Sequence, residues 1–248
     1  MSESVIQNIT SIATLLTAAA ALVTILEMRR QRISGYRPTI AIEDQRVNLY
    51  QPIERGSGRT IVFQPLGKLP THETVPGSDV RFRVRNVGAG SALQVEAEWE
   101  FDAIDFAAVV AKADPEAGEG ILVERGFIRF QTKDHGVWMV RQAQTHYLGT
   151  LPSSSDAQSL DVSLPFAYAL FASTLFQIVI SKGLDAAMGI ELPSLTLSVS
   201  FRDRTAVRLE SRYRIAFDLE FLAEGGSSIP ECPGWANIGG GVFTVRPM

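Results

Sequence analysis

Hydrophobic positions follow two different patterns along the 248 residues, and the change falls at Pro38. From Ile9 to Leu26 no side chain is ionisable. At 1.5 Å per residue this stretch forms a helix of about 27 Å, close to the hydrocarbon thickness of a bilayer. Its eight strongly apolar residues favour insertion by about 4 kcal/mol, which threonine and serine side chains partly offset. The pattern predicts one transmembrane helix over about 9–28, within an anchor segment 1–37.

Two other interpretations of this segment stay open. A cleaved signal peptide has a short apolar region and small residues at its cleavage site, which the run Ala18–Ala21 imitates. Such a peptide normally begins with a positively charged region, whereas residues 2–8 carry only Glu3. A soluble helix buried in a core or in a partner's groove is the second alternative.

Four arginines follow the apolar segment and have no counterpart on its N-terminal side: Arg29, Arg30, Arg32 and Arg37. Because positive charge is retained in the cytoplasm, these residues predict a single-pass protein of the inner membrane with its C-terminal domain in the cytoplasm. Near anionic lipid headgroups each arginine contributes about 1 kcal/mol. The single cysteine, Cys232, agrees with a reducing compartment. We expect the arginines to set topology and anchoring.

Small side chains recur at four-residue spacing along one face of the predicted helix, at Ala13, Thr17 and Ala21. Such a stripe lets helix backbones approach closely in a membrane. It is a candidate for self-association of the helix into a homo-oligomer. The alternative is that an alanine-rich span shows this spacing by chance.

After Pro38 the hydrophobic period becomes two, which is typical of strands. The clearest pair is 80–86 and 92–101. Val80, Phe82 and Val84 alternate with three arginines, and Val95, Ala97, Trp99 and Phe101 alternate with three glutamates. If the two strands pair antiparallel, Arg81, Arg83 and Arg85 become cross-strand neighbours of Glu96, Glu98 and Glu100. Further alternation at 195–201 and 207–221 predicts an antiparallel β-sandwich over 38–223.

Two later segments depart from the strand pattern. Residues 164–182 are uncharged up to Ser181 and predict a helix packed on the sheet; a second membrane span is the alternative. Residues 224–248 are rich in glycine and proline and predict an exposed, loosely ordered C-terminal tail.

No constellation of residues indicates catalysis, a cofactor or a metal. His72, His135 and His146 have no ligand spacing, and Cys232 has no adjacent cation in sequence. Gly88 and Gly90 begin a pattern like a dinucleotide fingerprint, but a strand follows where that fingerprint requires a helix. The glutamates at 96, 98 and 100 are explained by the solvated face of a strand. A net charge of −4 gives no basic face for nucleic acid.

Three short motifs carry a resemblance to a known group of proteins. They are the arginine cluster ending in Arg37-Pro38, the pattern Asn86-x-Gly88-x-Gly90-x-Ala92, and the strand from Pro193 to Val199. Together their order resembles a broad group of uncharacterised bacterial proteins with one N-terminal transmembrane helix and a cytosolic immunoglobulin-like β-sandwich. The resemblance implies that fold, with one or two inserted helices, and a membrane location. It brings no catalytic residues. Residues 202–205 also lack the glycine that the resemblance leads us to expect in the turn after the strand Pro193–Val199.

These features predict a membrane-anchored cytosolic interaction or sensing module without catalytic activity. Its expected partners are the lipid bilayer and a cytosolic protein. The alternative is an oligomerising membrane effector, for example of a bacterial stress or phage-defence system. An enzyme whose site forms only in three dimensions and an exported soluble domain are further alternatives.

Overall fold

The computed structural model describes residues 3–53, 61–71, 73–77, 79–124, 126–132, 136–141, 144–154, 158–183 and 191–248. The helices in these residues are α1 (Glu3–Gly35), α2 (Ala103–Ala113), α3 (Pro115–Glu119) and α4 (Phe166–Lys182). The strands are β1 (Ile40–Ile42), β2 (Gln45–Pro52), β3 (Val62–Pro65), β4 (Arg81–Asn86), β5 (Ala92–Glu100), β6 (Ile121–Glu124), β7 (Phe127–Thr132), β8 (Gly136–Arg141), β9 (Gln144–Leu151), β10 (Ser159–Ser163), β11 (Leu195–Arg202), β12 (Arg208–Ser228) and β13 (Trp235–Pro247).

The largest element is a curled antiparallel sheet of seven strands in the order β3-β2-β13-β12-β11-β5-β9. Its strands alternate as the sequence predicts. In β11, for example, Leu195, Leu197 and Val199 are fully buried, whereas Thr196 and Ser200 are partly exposed. One face of the sheet therefore lines the core and the other meets solvent.

A second sheet, β1-β4-β10, packs against the core face of the first. The Phe82 ring of β4 lies 5.4 Å from the Trp99 ring of β5 and 5.7 Å from the Phe243 ring of β13. The predicted pairing of 80–86 with 92–101 is therefore wrong. β4 pairs with β1 and β10, whereas β5 pairs with β11 and β9, because the two strands present their apolar faces to one core from opposite sides.

This arrangement gives the two rows of charged side chains other partners than those predicted. Arg85 lies 2.9 Å and Arg83 4.0 Å from the Glu43 carboxylate, just after β1. Glu96 of β5 lies 3.9 Å from Arg208 of β12.

Helix α4 continues the second layer over the same core face. Its ring contacts include Phe171 stacked on Phe106 of α2 at 4.8 Å and Phe176 beside Phe63 of β3 at 6.0 Å. The Ser173 hydroxyl donates to the Ile61 carbonyl at 2.6 Å. The helix is buried on almost every side, so the core of the domain explains its lack of charge, and the second-span alternative is wrong.

The end of the chain forms a strand, and the predicted loose tail is wrong. β13 pairs with β12 on one side and with β2 on the other. Its glycines make room for aromatic rings of β12: a Cβ on Gly241 would lie 2.9 Å from a Phe217 ring atom, and one on Gly240 2.8 Å from the Phe221 ring. The glycines therefore serve close packing in a strand and not chain flexibility.

Helix α1 lies outside the core. Over Ser11–Arg29 it is long and apolar enough to cross a membrane, and no residue of this span is buried. Eight large apolar side chains from Ile12 to Met28 are each more than half exposed. A signal sequence near the N-terminus has the same properties. The mainly β fold and the N-terminal apolar helix are thus confirmed, whereas the immunoglobulin-like sandwich is not.

Candidate functional site

The first candidate site is the junction between α1 and the β domain, which is built around Asn86. This side chain is 5% exposed and binds four backbone groups. Its Oδ1 accepts from the Thr39 N–H at 3.1 Å and the Gly88 N–H at 3.0 Å. Its Nδ2 donates to the carbonyls of Gly90 and, at 2.8 Å, Pro152. A buried amide with four partners fixes the relative position of three chain segments, at residues 39, 88–90 and 152.

Two glycines let the loop 86–90 touch the chain that leaves α1. A Cβ on Gly88 would collide with the Arg37 carbonyl oxygen, and one on Gly90 with the Tyr36 carbonyl oxygen. Val87 donates its N–H to the Thr39 carbonyl at 2.8 Å. The pattern Asn86-x-Gly88-x-Gly90 therefore clamps residues 36–39, so no free linker separates the helix from the domain.

A second loop, the β11–β12 hairpin at 203–207, also lies at the junction. Asp203 accepts hydrogen bonds from the Thr205 hydroxyl at 2.6 Å and from the Thr205 and Val207 N–H groups at 2.8 and 3.0 Å. These bonds, with the Arg37 guanidinium nearby, lower the pKa of the Asp203 carboxyl. The glycine missing from this turn is replaced by Ala206, which adopts a positive φ of 62°.

The predicted anchoring residues lie on α1 and at its end. The Arg29 and Arg37 side chains are exposed, whereas the side chains of Arg30 and Arg32 lie outside the described part of the chain. The stripe of Ala13, Thr17 and Ala21 is exposed. The Thr17 hydroxyl donates to the Ala13 carbonyl at 2.8 Å, so its polar group is satisfied inside the helix.

The second candidate site is a polar groove of about 200 Å³ on the solvent face of the seven-stranded sheet. It is lined by alternate residues of β5, β11 and β12, with Thr145 of β9 at one side. The strand register sets β5 glutamates beside β11 hydroxyls: Glu96 beside Ser200, Glu98 beside Ser198, and Glu100 beside Thr196. We call this surface the glutamate groove.

Charges in the glutamate groove are only partly neutralised. Arg212 binds Glu210 at 2.6 Å, and Arg208 lies 3.9 Å from Glu96. Within the described residues Glu98 has no ion pair. Its cross-strand neighbour Ser198 is 8% exposed, and its Oγ has no hydrogen-bond partner among the described residues. The exposed Glu98 carboxylate can accept a cationic group.

The remaining chemistry-bearing residues are separate from both sites. His72 and His135 lie outside the described residues, and His146 of β9 has a pKa lowered by burial. Cys232 is buried, donates its S–H to the Pro70 carbonyl at 2.9 Å, and has a pKa raised by burial, which favours the unreactive thiol. In the described part of the chain no three His, Cys, Asp or Glu side chains are placed to hold a metal ion.

A cavity of about 260 Å³ lies between α3, α4 and the β6–β7 hairpin. It is slightly smaller than most small-molecule pockets. The Asp114 carboxylate on its wall caps α3, and the Thr174 hydroxyl donates to the Leu170 carbonyl, so both are already used within the protein.

The sequence identified the arginines at the end of α1 and the glutamates of β5. It did not indicate the loop that holds residues 36–39 or the buried hydroxyl beside Glu98. The signal for the clamp was present in Asn86-x-Gly88-x-Gly90, but from the sequence this motif supported only the resemblance and indicated no contact with residues 36–39. Ser198 gave no signal, because the burial of a hydroxyl on the solvent face of a sheet depends on the neighbouring strands.

No protein-family model, curated protein or solved structure matches the chain. Of the resemblance to bacterial anchored proteins, the structure supports the N-terminal apolar helix, and it does so weakly.

Proposed function

We propose that the protein is a membrane-anchored interaction module without catalytic activity, with its β domain in the cytoplasm. The observation that carries this proposal is the apolar surface of α1, which no part of the described domain covers. In water this surface would be costly, whereas a bilayer satisfies it. The clamp at 36–39 supports a role in which the helix holds the domain at a fixed place beside the membrane.

The glutamate groove is the partner-binding surface in this proposal. Glu98 supplies a carboxylate without an ion pair, and Ser198 a hydroxyl without a hydrogen bond. The exposed Glu98 carboxylate favours a cationic side chain, so the expected partner presents a lysine or arginine in an exposed segment. Binding through such charges depends on ionic strength.

A topology assay tests the anchor. Reporters active only inside or only outside the cytoplasm are fused to the C-terminus, and the cells are fractionated. The proposal predicts a full-length, membrane-bound chain with a cytoplasmic C-terminus. An exported C-terminus with roughly the first two dozen residues removed would show a signal peptide and refute the proposal.

Crosslinking in intact cells tests the groove. The wild type is compared with Glu98→Lys and with Glu124→Lys, a matched reversal at an exposed glutamate of β6. We expect Glu98→Lys to remove crosslinked protein species that Glu124→Lys retains. If both variants keep the same crosslinks as the wild type, the groove is not the partner surface.

The second candidate function is an oligomerising membrane effector, for example in bacterial stress or phage defence. It is favoured by the exposed stripe of Ala13, Thr17 and Ala21, whose one hydroxyl is already hydrogen-bonded. Overexpression should then lower membrane potential and growth, and Thr17→Leu with Ala21→Leu should relieve both effects because larger side chains separate the helices. If overexpression leaves potential and growth unchanged, this function is refuted.

A further inference from the structure

The length of α1 places its end relative to a bilayer. Beyond the span Ser11–Arg29 the helix continues to Gly35, and these six residues add about 9 Å. A headgroup layer is roughly 5–8 Å thick on each side of the hydrocarbon. When the span fills the hydrocarbon, Tyr36 therefore lies at the outer limit of the headgroups.

Both junction loops lie at the end of the β domain that is next to Tyr36. The loop 86–90 touches the Tyr36 and Arg37 carbonyls. The hairpin 203–207 lies at the same end of the sheet, because Arg202 just before it pairs with Leu93, which follows that loop. Because the loop 86–90 is bonded to Thr39, the two loops leave the headgroups only when the domain and α1 tilt together.

The side chains at this end suit a lipid surface. Tyr36, Val87 and Val207 are apolar or amphipathic and are 64%, 55% and 50% exposed. Arg37, Arg202 and Arg204 beside them are exposed cations. Asp203, the acidic residue of the hairpin, turns its carboxylate into the turn itself. Aromatic and apolar side chains with arginines are what the headgroup region of an anionic leaflet attracts.

We propose that this end of the β domain, formed by Tyr36, the loop 86–90 and the hairpin 203–207, is a second membrane-contact surface that rests on anionic lipid headgroups. The inference depends on the proposed anchor and adds a contact that the anchor alone does not require. It fixes the orientation of the domain, with the glutamate groove extending along β5 from Glu96 near the hairpin to Glu100 away from the membrane.

The test uses the full chain reconstituted in vesicles, with fluorophores attached to single cysteines in a Cys232→Ser background. One label replaces Ala89 in the proposed surface, and the control label replaces Glu231, beyond the far end of β12. Quenchers carried on lipid headgroups report contact. In vesicles containing phosphatidylserine we expect strong quenching at position 89 and little at 231. Equal quenching at both positions would overturn the proposal.

Charge neutralisation separates this surface from the anchor. The variant Arg202→Gln with Arg204→Gln should lower the docked-to-undocked ratio at position 89 roughly fivefold for each charge removed. The control variant Arg214→Gln with Arg246→Gln removes two exposed cations that are neighbours on β12 and β13 and should leave quenching unchanged. Equal effects of the two pairs would refute the surface.

Sedimentation of the same vesicles reports the anchor independently. All variants should stay with the lipid, because α1 is unchanged in each. A chain that does not sediment with vesicles would refute the anchor itself, whereas a sedimenting chain with no quenching at position 89 would refute only the second contact.

Discussion

Asn86 binds backbone groups from three stretches of chain that are far apart in sequence, at residues 39, 88–90 and 152. At the scale of single residues this side chain decides whether the junction is rigid. Its short amide offers two acceptor sites and two donors, and all of these are used. No other side chain of similar size offers the same set.

Replacement of Asn86 by alanine should lower the free energy of unfolding by about 3 kcal/mol, because several buried backbone groups lose their partners. Urea unfolding of the full chain in detergent measures this. The matched control is Asn48→Ala, which removes a single part-buried bond to the Tyr50 hydroxyl at 3.3 Å and should cost less than about 1 kcal/mol. A similar loss of unfolding free energy in both variants would show that the hydrogen bonds of Asn86 stabilise the protein no more than a single part-buried bond.

Ala206 carries the positive φ of the β11–β12 hairpin. Because an L-residue in this region costs roughly 1 kcal/mol, Ala206→Gly should raise the free energy of unfolding by about 0.5 kcal/mol after the entropy of glycine is subtracted. The control Ala216→Gly, within β12, should lower it by about 0.5–1 kcal/mol. Opposite signs in urea unfolding would confirm the turn geometry, and a loss in both variants would contradict it.

At the scale of elements, β9 forms one edge of the large sheet and carries His146 beside Ala97 of β5. The His146 Nε2 is buried without a partner in the described structure, and burial lowers its pKa below 6.5. The unfolded chain then binds more protons than the folded chain below that pH. Stability is therefore fully present above about pH 6.5 and falls as the pH drops below it.

The measurement is the urea midpoint of the full chain in detergent between pH 7.5 and 5.5. We expect the wild type to lose stability across this range more steeply than His146→Gln, whose amide does not titrate. If the two slopes are equal, the imidazole is not responsible.

The alternation of residues predicted the strands well but not their partners. In β4 and β5 the buried positions are those predicted, from Phe82 to Trp99. Their opposite charges suggested a hairpin. However, a row of arginines or glutamates can pair equally well with opposite charges elsewhere in the chain. In the structure Arg208 pairs with Glu96, and Glu43 pairs with Arg85. The β13 strand was missed because glycine content indicates a loop unless the rings of Phe217 and Phe221 on the next strand are known.

At the scale of the whole molecule, membrane retention should depend on the balance of insertion energies along α1. Leu16→Arg with Leu22→Arg changes the balance by roughly 6–8 kcal/mol, which exceeds the 4 kcal/mol or so that favours insertion. We expect this double variant to leave the carbonate-resistant membrane fraction, and the control Leu16→Ile with Leu22→Ile to remain in it. Retention of the arginine variant would contradict a transmembrane α1.

The N-terminal apolar helix was thus predictable from sequence, since a long apolar stretch needs no tertiary information. The rigid attachment of α1 to the β domain was not predictable from sequence. It arises from contacts between residues 36–39 and a loop that follows some fifty positions later, at Gly88 and Gly90. Such contacts leave only short local signals in a single sequence.

The position of β13 has a consequence for biogenesis. This strand follows every other strand of the large sheet in the chain but lies between β2 and β12, so the sheet stays in two parts until residue 247 has been synthesised. By then α1 has long been synthesised. With the proposed anchor, the domain completes its folding after α1 has entered the membrane, and pairing of the open β2 and β12 edges with neighbouring nascent chains competes with the correct closure.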